Sequence, residues 1–309
     1  MSYPIIHVQS TQIIDDEQLG SKTKFWFECK GKKWLFKEAR IIQLPVGNVV
    51  TGEDWAEKVA AEIAYVVGFN AAKVELAEYQ GRRGSASLSF ITSHNVHLEH
   101  GNEILAGHLA NYDQSKKQHQ SEHTLHNIIH ALLLMFPQEQ DSSYILTKLA
   151  GYLVLDALIA NTDRHHENWG LFWRTIMYSQ VLNTPSLKSY DVAPSFDHAS
   201  SLGRELLDEK KNVIIKNKTI NKYLDKGRGG IYWHETDSHG INPILLVEQA
   251  ATKYPSYFKP ALEALSLIPL DKIQATLDDV PSDRASDISK KFAKLLLENT
   301  YQRLIRLLT

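Results

Sequence analysis

The chain has 309 residues, of which 43% are hydrophobic, and its 34 lysines and arginines face 36 acidic residues for a formal net charge of -2. That length and apolar content can bury a sizeable core in one large domain or two packed lobes, which excludes a disordered chain. The balanced charge excludes a global field for nucleic acid or an anionic membrane. Cys29 is the only cysteine, so a disulfide framework and multi-thiolate zinc or iron–sulfur sites are excluded as well.

In chain order, Met1-Ser2-Tyr3-Pro4 lacks a basic segment followed by an apolar run, so no secretory leader is expected. Residues 24–29 and 32–38 are aromatic-rich runs joined by Lys30-Gly31, which predicts a β-hairpin. Residues 53–67 predict a helix. Ala56, Val59, Ala60, Ile63, Ala64 and Val67 fall at helical spacing, Asp54 is placed to cap it and Gly68 to stop it. Strands are predicted near 73–79 and 85–91.

Beyond about residue 95 the periodicity becomes helical, at 123–136, 142–160, 243–252, 257–266 and 284–308. The most apolar stretch, 149–160, is interrupted by Asp156, which predicts a buried core helix rather than a membrane span. A cytoplasmic protein without membrane insertion is therefore expected. A mostly β lobe over residues 1–95 followed by a mostly α lobe over 96–309 is the expected architecture, an α+β fold. In the 210–228 stretch, Lys210, Lys211, Lys216, Lys218, Lys222, Lys226 and Arg228 are opposed only by Asp225, which predicts a solvated basic loop. His123, His126 and His130 have helix-compatible spacing but no third ligand, and read as structural.

The segment Ala160-Asn161-Thr162-Asp163-Arg164-His165-His166-Glu167-Asn168-Trp169 follows a buried helix and precedes a strand-like run, so its polar groups sit on a loop held by buried elements. Asp163 and Asn168 stand in the order D-x-x-x-x-N. That spacing lets one short loop aim a carboxylate at an acceptor hydroxyl while an amide oxygen ligates the magnesium bridging the phosphates. Such chemistry needs a second metal-binding carboxylate, and Asp197 in Ala193-Pro194-Ser195-Phe196-Asp197 supplies it. It also needs a strand lysine, and Lys37 in Trp34-Leu35-Phe36-Lys37 is the candidate, with helical Glu57 to fix it and Glu62 as the competitor.

Together these motifs resemble the HipA-type serine/threonine kinases, a bacterial branch of the protein-kinase-like superfamily, over most of the chain. The family's N-x-D-x-H-x-x-N loop is matched by Asn161, Asp163, His165 and Asn168, and its A-P-x-x-D run by Ala193, Pro194 and Asp197. The resemblance implies a two-lobed protein-kinase-like fold that uses ATP and Mg2+. Asp163 would orient or deprotonate the acceptor hydroxyl, His165 would order the catalytic loop, and Asn168 with Asp197 would hold the metal. Lys37, fixed by Glu57, would contact the phosphates, Gly20, Ser21 and Lys22 would form the phosphate loop, and Phe90 is placed with them among the nucleotide-binding residues. Ser21 is the candidate for autophosphorylation. The sequence departs from protein-kinase forms in having no G-x-G-x-x-G, and His198 where D-F-G has glycine.

The resemblance further implies a protein substrate and a possible antitoxin partner, since family members commonly act as toxins that modify translation proteins such as aminoacyl-tRNA synthetases. No separate helix-turn-helix is legible, so no direct DNA binding is expected. Three rivals stand beside this reading. A phosphoinositide kinase shares a similar catalytic loop, a catalytically silent kinase fold could serve as an interaction module, and a metal-dependent hydrolase could use Asp163, His165 and Asp197.

Overall fold

Alternating large apolar and charged residues shape the first part of the chain. The computed structural model describes residues 2–16, 23–44, 47–116, 119–176 and 187–309. Strands Ile5–Val8 (β1), Ile13–Asp16 (β2), Lys24–Cys29 (β3) and Lys32–Glu38 (β4) come first. A separate hairpin of Ile41–Leu44 (β5) and Gly47–Val50 (β6) and the helix Glu53–Val67 (α1) follow, then Val74–Tyr79 (β7) and Arg82–Leu88 (β8). Six of these form one sheet in the order β1-β7-β8-β4-β3-β2, with β1 parallel to β7 and the other pairs antiparallel.

The β3–β4 turn is the two-residue Lys30-Gly31, both at positive φ, and β7–β8 turns the same way through Gln80-Gly81. Such turns match the twist of the flanking strands. One face of the sheet packs Phe25, Phe27, Trp34 and Phe36 into a small core of its own, with Phe25 and Phe36 stacked at 4.9 Å. Leu76 points the other way and joins α1 in the main core. Lys37 follows Phe36 in β4, so period-2 alternation sends it to the face opposite that aromatic core.

The rest of the chain supplies Val96–His100 (β9), Gly101–His108 (α2), Leu125–Met135 (α3), Glu139–Ile159 (α4), Gly170–Ile176 (β10) and Leu187–Val192 (β11). The helices Asp208–Lys216 (α5), Ile220–Leu224 (α6), Pro243–Lys253 (α7), Pro255–Ser266 (α8), Leu270–Ala275 (α9) and Asp287–Ile305 (α10) complete it. β11, β10 and β9 form an antiparallel sheet, with the segment that carries Asp163 and Asn168 entering β10. α4 is the axle of the helical part, with every residue from Leu149 to Ile159 buried. It has the length and apolar composition of a membrane span, but most of it is covered by other parts of the protein.

Three sequence expectations change. Asp54 does not cap α1: Gly52 occupies that position, and the Asp54 side chain is fully buried among arginines. The 210–228 stretch is not a loop but includes α5 and α6. Within it Lys211 is buried and donates to Ser289 Oγ at 2.7 Å, burial pulling its pKa down. The long apolar helix starts at Glu139, three residues before the expected 142.

Buried polar contacts fasten the first ninety residues to the helical part. Arg284, from the turn before α10, reaches Asp54 of α1 at 3.2 Å and Glu78 of β7 at 3.1 Å, while Arg83 of β8 meets the same Asp54 at 3.1 Å. Near the N-terminus, the Tyr3 hydroxyl donates to the Thr276 carbonyl at 2.8 Å and its backbone N–H to Asp279 at 2.7 Å.

Candidate functional site

Asp156 is a carboxylate-bearing residue inside an apolar helix, and the loop that carries Asp163 and Asn168 is built on it. Arg164 donates to both of its oxygens, Nε to Oδ2 at 2.7 Å and Nη2 to Oδ1 at 2.8 Å, and Asn161 Nδ2 adds a third bond at 2.7 Å. α4 ends at Ala160 in the left-handed conformation, φ 53°, which turns the chain so that these side chains fold back under it. Burial opposes the Arg164 charge, but Asp156 more than offsets it and raises its pKa. The same guanidinium donates to the carbonyls of Asn168 and Phe196, the latter at 3.0 Å, and to Ser195 Oγ at 3.0 Å. Arg164 therefore stitches α4, the catalytic loop and the Asp197 loop together.

On this support the D-x-x-x-x-N spacing closes on itself. Asn168 Nδ2 donates to the Asp163 carbonyl at 2.7 Å, and the Asp163 N–H donates to Asn161 Oδ1 at 3.2 Å. With Nδ2 committed, Asn168 Oδ1 is the end of the amide left for a cation. Ser200 Oγ stands 3.5 Å from Asp163 Oδ2, and Arg204 bonds Ser200 at 3.1 Å. Solvent reaches Asp163 from one side, yet partial burial and the nearby Asp197 carboxylate push its carboxyl above the usual range, against the pull of His165 and arginines 204 and 164.

The Asp197 loop is pinned from the sheet side, where Ala72 N donates to the Ser195 carbonyl at 2.8 Å and Ser195 N to the Asn70 carbonyl at 2.9 Å. Asp197 itself has φ 60°, and Leu202 in the same loop φ 55°. Side-chain-bearing residues adopt this conformation at a cost, and such strain clusters at functional sites. Lys37 Nζ lies 3.0 Å from Asp197 Oδ2. Burial would raise the Asp197 pKa, but the Lys37 ammonium, with Lys24 and His165 further off, brings it down to about 2.

Glu57 is brought to the same place by another route. Its Oε1 lies 3.7 Å from His198 Nδ1, and both side chains are buried. His198 Nε2 meets Ser195 Oγ at 2.7 Å, and Ser195 Oγ accepts from Arg164. The serine hydroxyl thus links the Arg164 guanidinium to the histidine that stands beside Glu57. Among the described contacts Glu57 therefore meets His198 and Lys37 meets Asp197, where the sequence predicts a Lys37–Glu57 pair. A second path leaves the same helix: Glu53 holds Arg204 at 2.9 Å, and Arg204 holds Ser200 beside Asp163. α1 is thus braced to the catalytic loop twice.

No protein-family model and no curated protein sequence matches the chain. Solved structures do. The crystal structure of the Helicobacter pylori proinflammatory kinase CtkA aligns with a TM-score of 0.75 over 98% of this chain and 96% of that one, at 19% identity. HipA of Shewanella oneidensis, solved with HipB and its operator DNA, aligns with a TM-score of 0.56 over 97% of this chain and 66% of its own, at 11% identity. The chain has the HipA-like kinase fold.

Within the HipA-like fold, Lys37 meets Asp197, Asn168 meets Asp163, and the two carboxylates are near enough to raise the Asp163 pKa, while His165 Nδ1 accepts the Glu167 N–H at 3.2 Å. Phe90 lies in an aromatic cluster, 5.3 Å from Phe172 and 5.7 Å from Phe196. Gly20, Ser21 and Lys22 lie outside the described residues. His123 is structural, as expected: its Nδ1 meets the Gly230 carbonyl at 2.8 Å, its Nε2 accepts from Trp169, and burial lowers its pKa to about 3. Sequence reasoning missed Arg164, Ser195, His198, Ser200 and Arg204 as positioning residues. The one available signal was Asp156, because a buried charge demands a partner.

Proposed function

We propose that this chain is an ATP- and Mg2+-dependent kinase of HipA type that phosphorylates serine or threonine hydroxyls on protein, its own included. The observation that carries the reading is the meeting of Lys37 with Asp197 at 3.0 Å beside an Asp163–Asn168 loop closed by its own hydrogen bond. The donor set fits magnesium. The Asp197 carboxylate and the Asn168 amide oxygen are hard oxygen ligands, and phosphate and water oxygens ordinarily complete such a sphere. Magnesium, when bound, would screen the charge on the phosphate oxygens.

The chain's own residues do the remaining work. Lys37 holds phosphate oxygens by charge, and the Phe90 cluster offers an apolar surface to the base. Asp163 accepts the proton of the acceptor hydroxyl as its oxygen bonds to the terminal phosphorus and the bond to ADP breaks. A carboxyl raised above its ordinary pKa is the better proton acceptor near neutrality. Asn168 and Asp197 serve as the metal ligands, while Glu57, through His198 and Ser195, keeps the Asp197 loop in register with α1. By the same reading the protein works in the cytoplasm, under the control of an antitoxin partner, with Ser21 as its self-modified residue.

The test is incubation of the purified protein with labelled ATP and magnesium beside Asp163→Ala, followed by mass spectrometry. Phosphate on the wild-type protein and its absence from the variant supports the reading. Label carried only by added phosphoinositide would transfer the site to a lipid kinase, and no nucleotide binding would end the kinase reading.

A further inference from the structure

Asp163 lines one of three cavities that share a single residue. A cavity of about 290 Å3 is lined by Thr162, Asp163, His165, Arg228 and Tyr232. A second, of about 410 Å3, runs along Ser200, Tyr223, Lys226 and Arg228, and a third, of about 560 Å3, along Asp237, His239 and Arg228. Arg228 borders all three. Its backbone is held close to the catalytic loop because the chain beside it is glycine. A Cβ on Gly230 would stand 2.7 Å from His165 N, and one on Gly229 2.7 Å from the Ile241 carbonyl. Gly229 N–H also donates to that carbonyl at 2.9 Å.

Charge is distributed unevenly along this groove. Among its flanking acids, Asp225 pairs with Arg303 at 2.7 Å, while Asp237 accepts the His234 N–H at 2.9 Å and Glu205 accepts the Tyr223 hydroxyl at 2.7 Å. Arg204 is taken by Glu53. Lys226 and Arg228 are exposed and, among the described residues, form no ion pair, although Asp225, Asp237 and Glu205 border the same cavities. Arg228 Nη1 donates only to the carbonyls of Asp225 and Gly227, at 3.2 and 3.0 Å, so that one nitrogen is spent and the rest of the fork is free for a ligand. A guanidinium oriented by its own backbone is suited to bidentate capture of a carboxylate.

We infer that this groove binds the acceptor polypeptide and selects a serine or threonine with an acidic side chain close by, which Arg228 grips with Lys226 in support. The inference rests on the kinase reading and names the substrate class for its site. A polypeptide is the occupant because two exposed cations outside any ion pair match one or two carboxylates, whereas a nucleic acid is held by many phosphate contacts along a basic stripe. The cationic end of the 210–228 segment thus has a use that its sequence alone did not disclose.

The test uses the full chain with Mg-ATP and two synthetic serine peptides that differ only in flanking glutamates against glutamines. The expected kcat/KM ratio is about tenfold or more in favour of the acidic peptide, a size ordinary for a charge-assisted pair. Arg228→Gln should bring the ratio close to one, and Arg228→Glu should favour a lysine-flanked peptide. Fluorescence anisotropy of the same peptides without nucleotide reads the groove apart from the chemistry. If no peptide and no residue of the chain is phosphorylated, the kinase reading fails while the anisotropy still decides the groove. Equal binding of acidic and neutral peptides, a preference that survives Arg228→Gln, or tighter binding of a mixed-sequence single-stranded oligonucleotide would each overturn the inference.

Discussion

Removing the Asp156 carboxylate should be the most damaging single change in the site's support. Asp156 and Arg164 have side chains only 4% exposed, and Asp156→Ala deletes two charge-assisted bonds from Arg164 and one from Asn161, leaving a guanidinium buried without its counter-ion. Breaking a buried pair from one side costs about 3–5 kcal/mol, a large part of a stability of about 5–15 kcal/mol. Urea unfolding should show a lower midpoint with an unchanged slope. The double variant Asp156→Leu/Arg164→Met carries no buried charge and should recover most of the loss. It should not recover phosphoryl transfer, because the carbonyls of Asn168 and Phe196 would still lack the donor that sets the two loops against each other. A loss below about 1 kcal/mol for Asp156→Ala, or strict additivity in the double variant, would refute this account.

Other expectations follow from the same geometry. The acid limb of the kcat/KM profile belongs to Asp163, whose carboxyl burial and Asp197 hold above the ordinary value, so it should lie above about pH 4; a limb at or below that value removes Asp163 as the base. Asp197 is held at about 2 by Lys37, so the stability this pair adds is present above the unfolded carboxylate pKa of about 3.9 and is lost as pH falls towards 2. The stability gap between wild type and Lys37→Met should close across that window, and a gap independent of pH would contradict the pairing. Gly230→Ala should cost about 1–3 kcal/mol and most of the turnover, since its Cβ meets backbone atoms of Arg164 and His165 at 2.7 Å. Gly107→Ala in α2, where nothing stands within 4 Å, should be neutral or stabilising by about 0.5–1 kcal/mol, and denaturation of the pair checks both.

Local patterns were legible where local physics decides. α1 has an unbroken apolar period and a left-handed Gly68 at its end, and the β3–β4 hairpin has alternation and a Lys-Gly turn, so both match the sequence reading. α5 was not legible. Its DEKKNVIIK sequence has few apolar positions, and its fixed point is a single buried lysine reaching a serine of α10. The four residues proposed for chemistry could be read because their spacing is dictated by the substrate. Ser195, His198 and Arg204 could not, because the partners that tie them to other elements, Arg164, Glu57 and Glu53, lie tens of residues away and are chosen by how the two halves pack. Glu57 shows both sides of this: its helix and its approach to the site were readable, and its histidine neighbour was not.

The fastening of the sheet to the helices by Asp54, Arg83, Arg284 and Tyr3 has a thermodynamic corollary. Arg284 has a side chain 1% exposed and two of its three carboxylate partners, including the fully buried Asp54, belong to α1 and β7, so melting either half alone would strand charge in a dry interior. The halves should therefore lose their structure in one cooperative event, with a single calorimetric peak whose van't Hoff and measured enthalpies agree. Nucleotide bound between them would move that one peak upward as a whole, by mass action, instead of sharpening a separate transition.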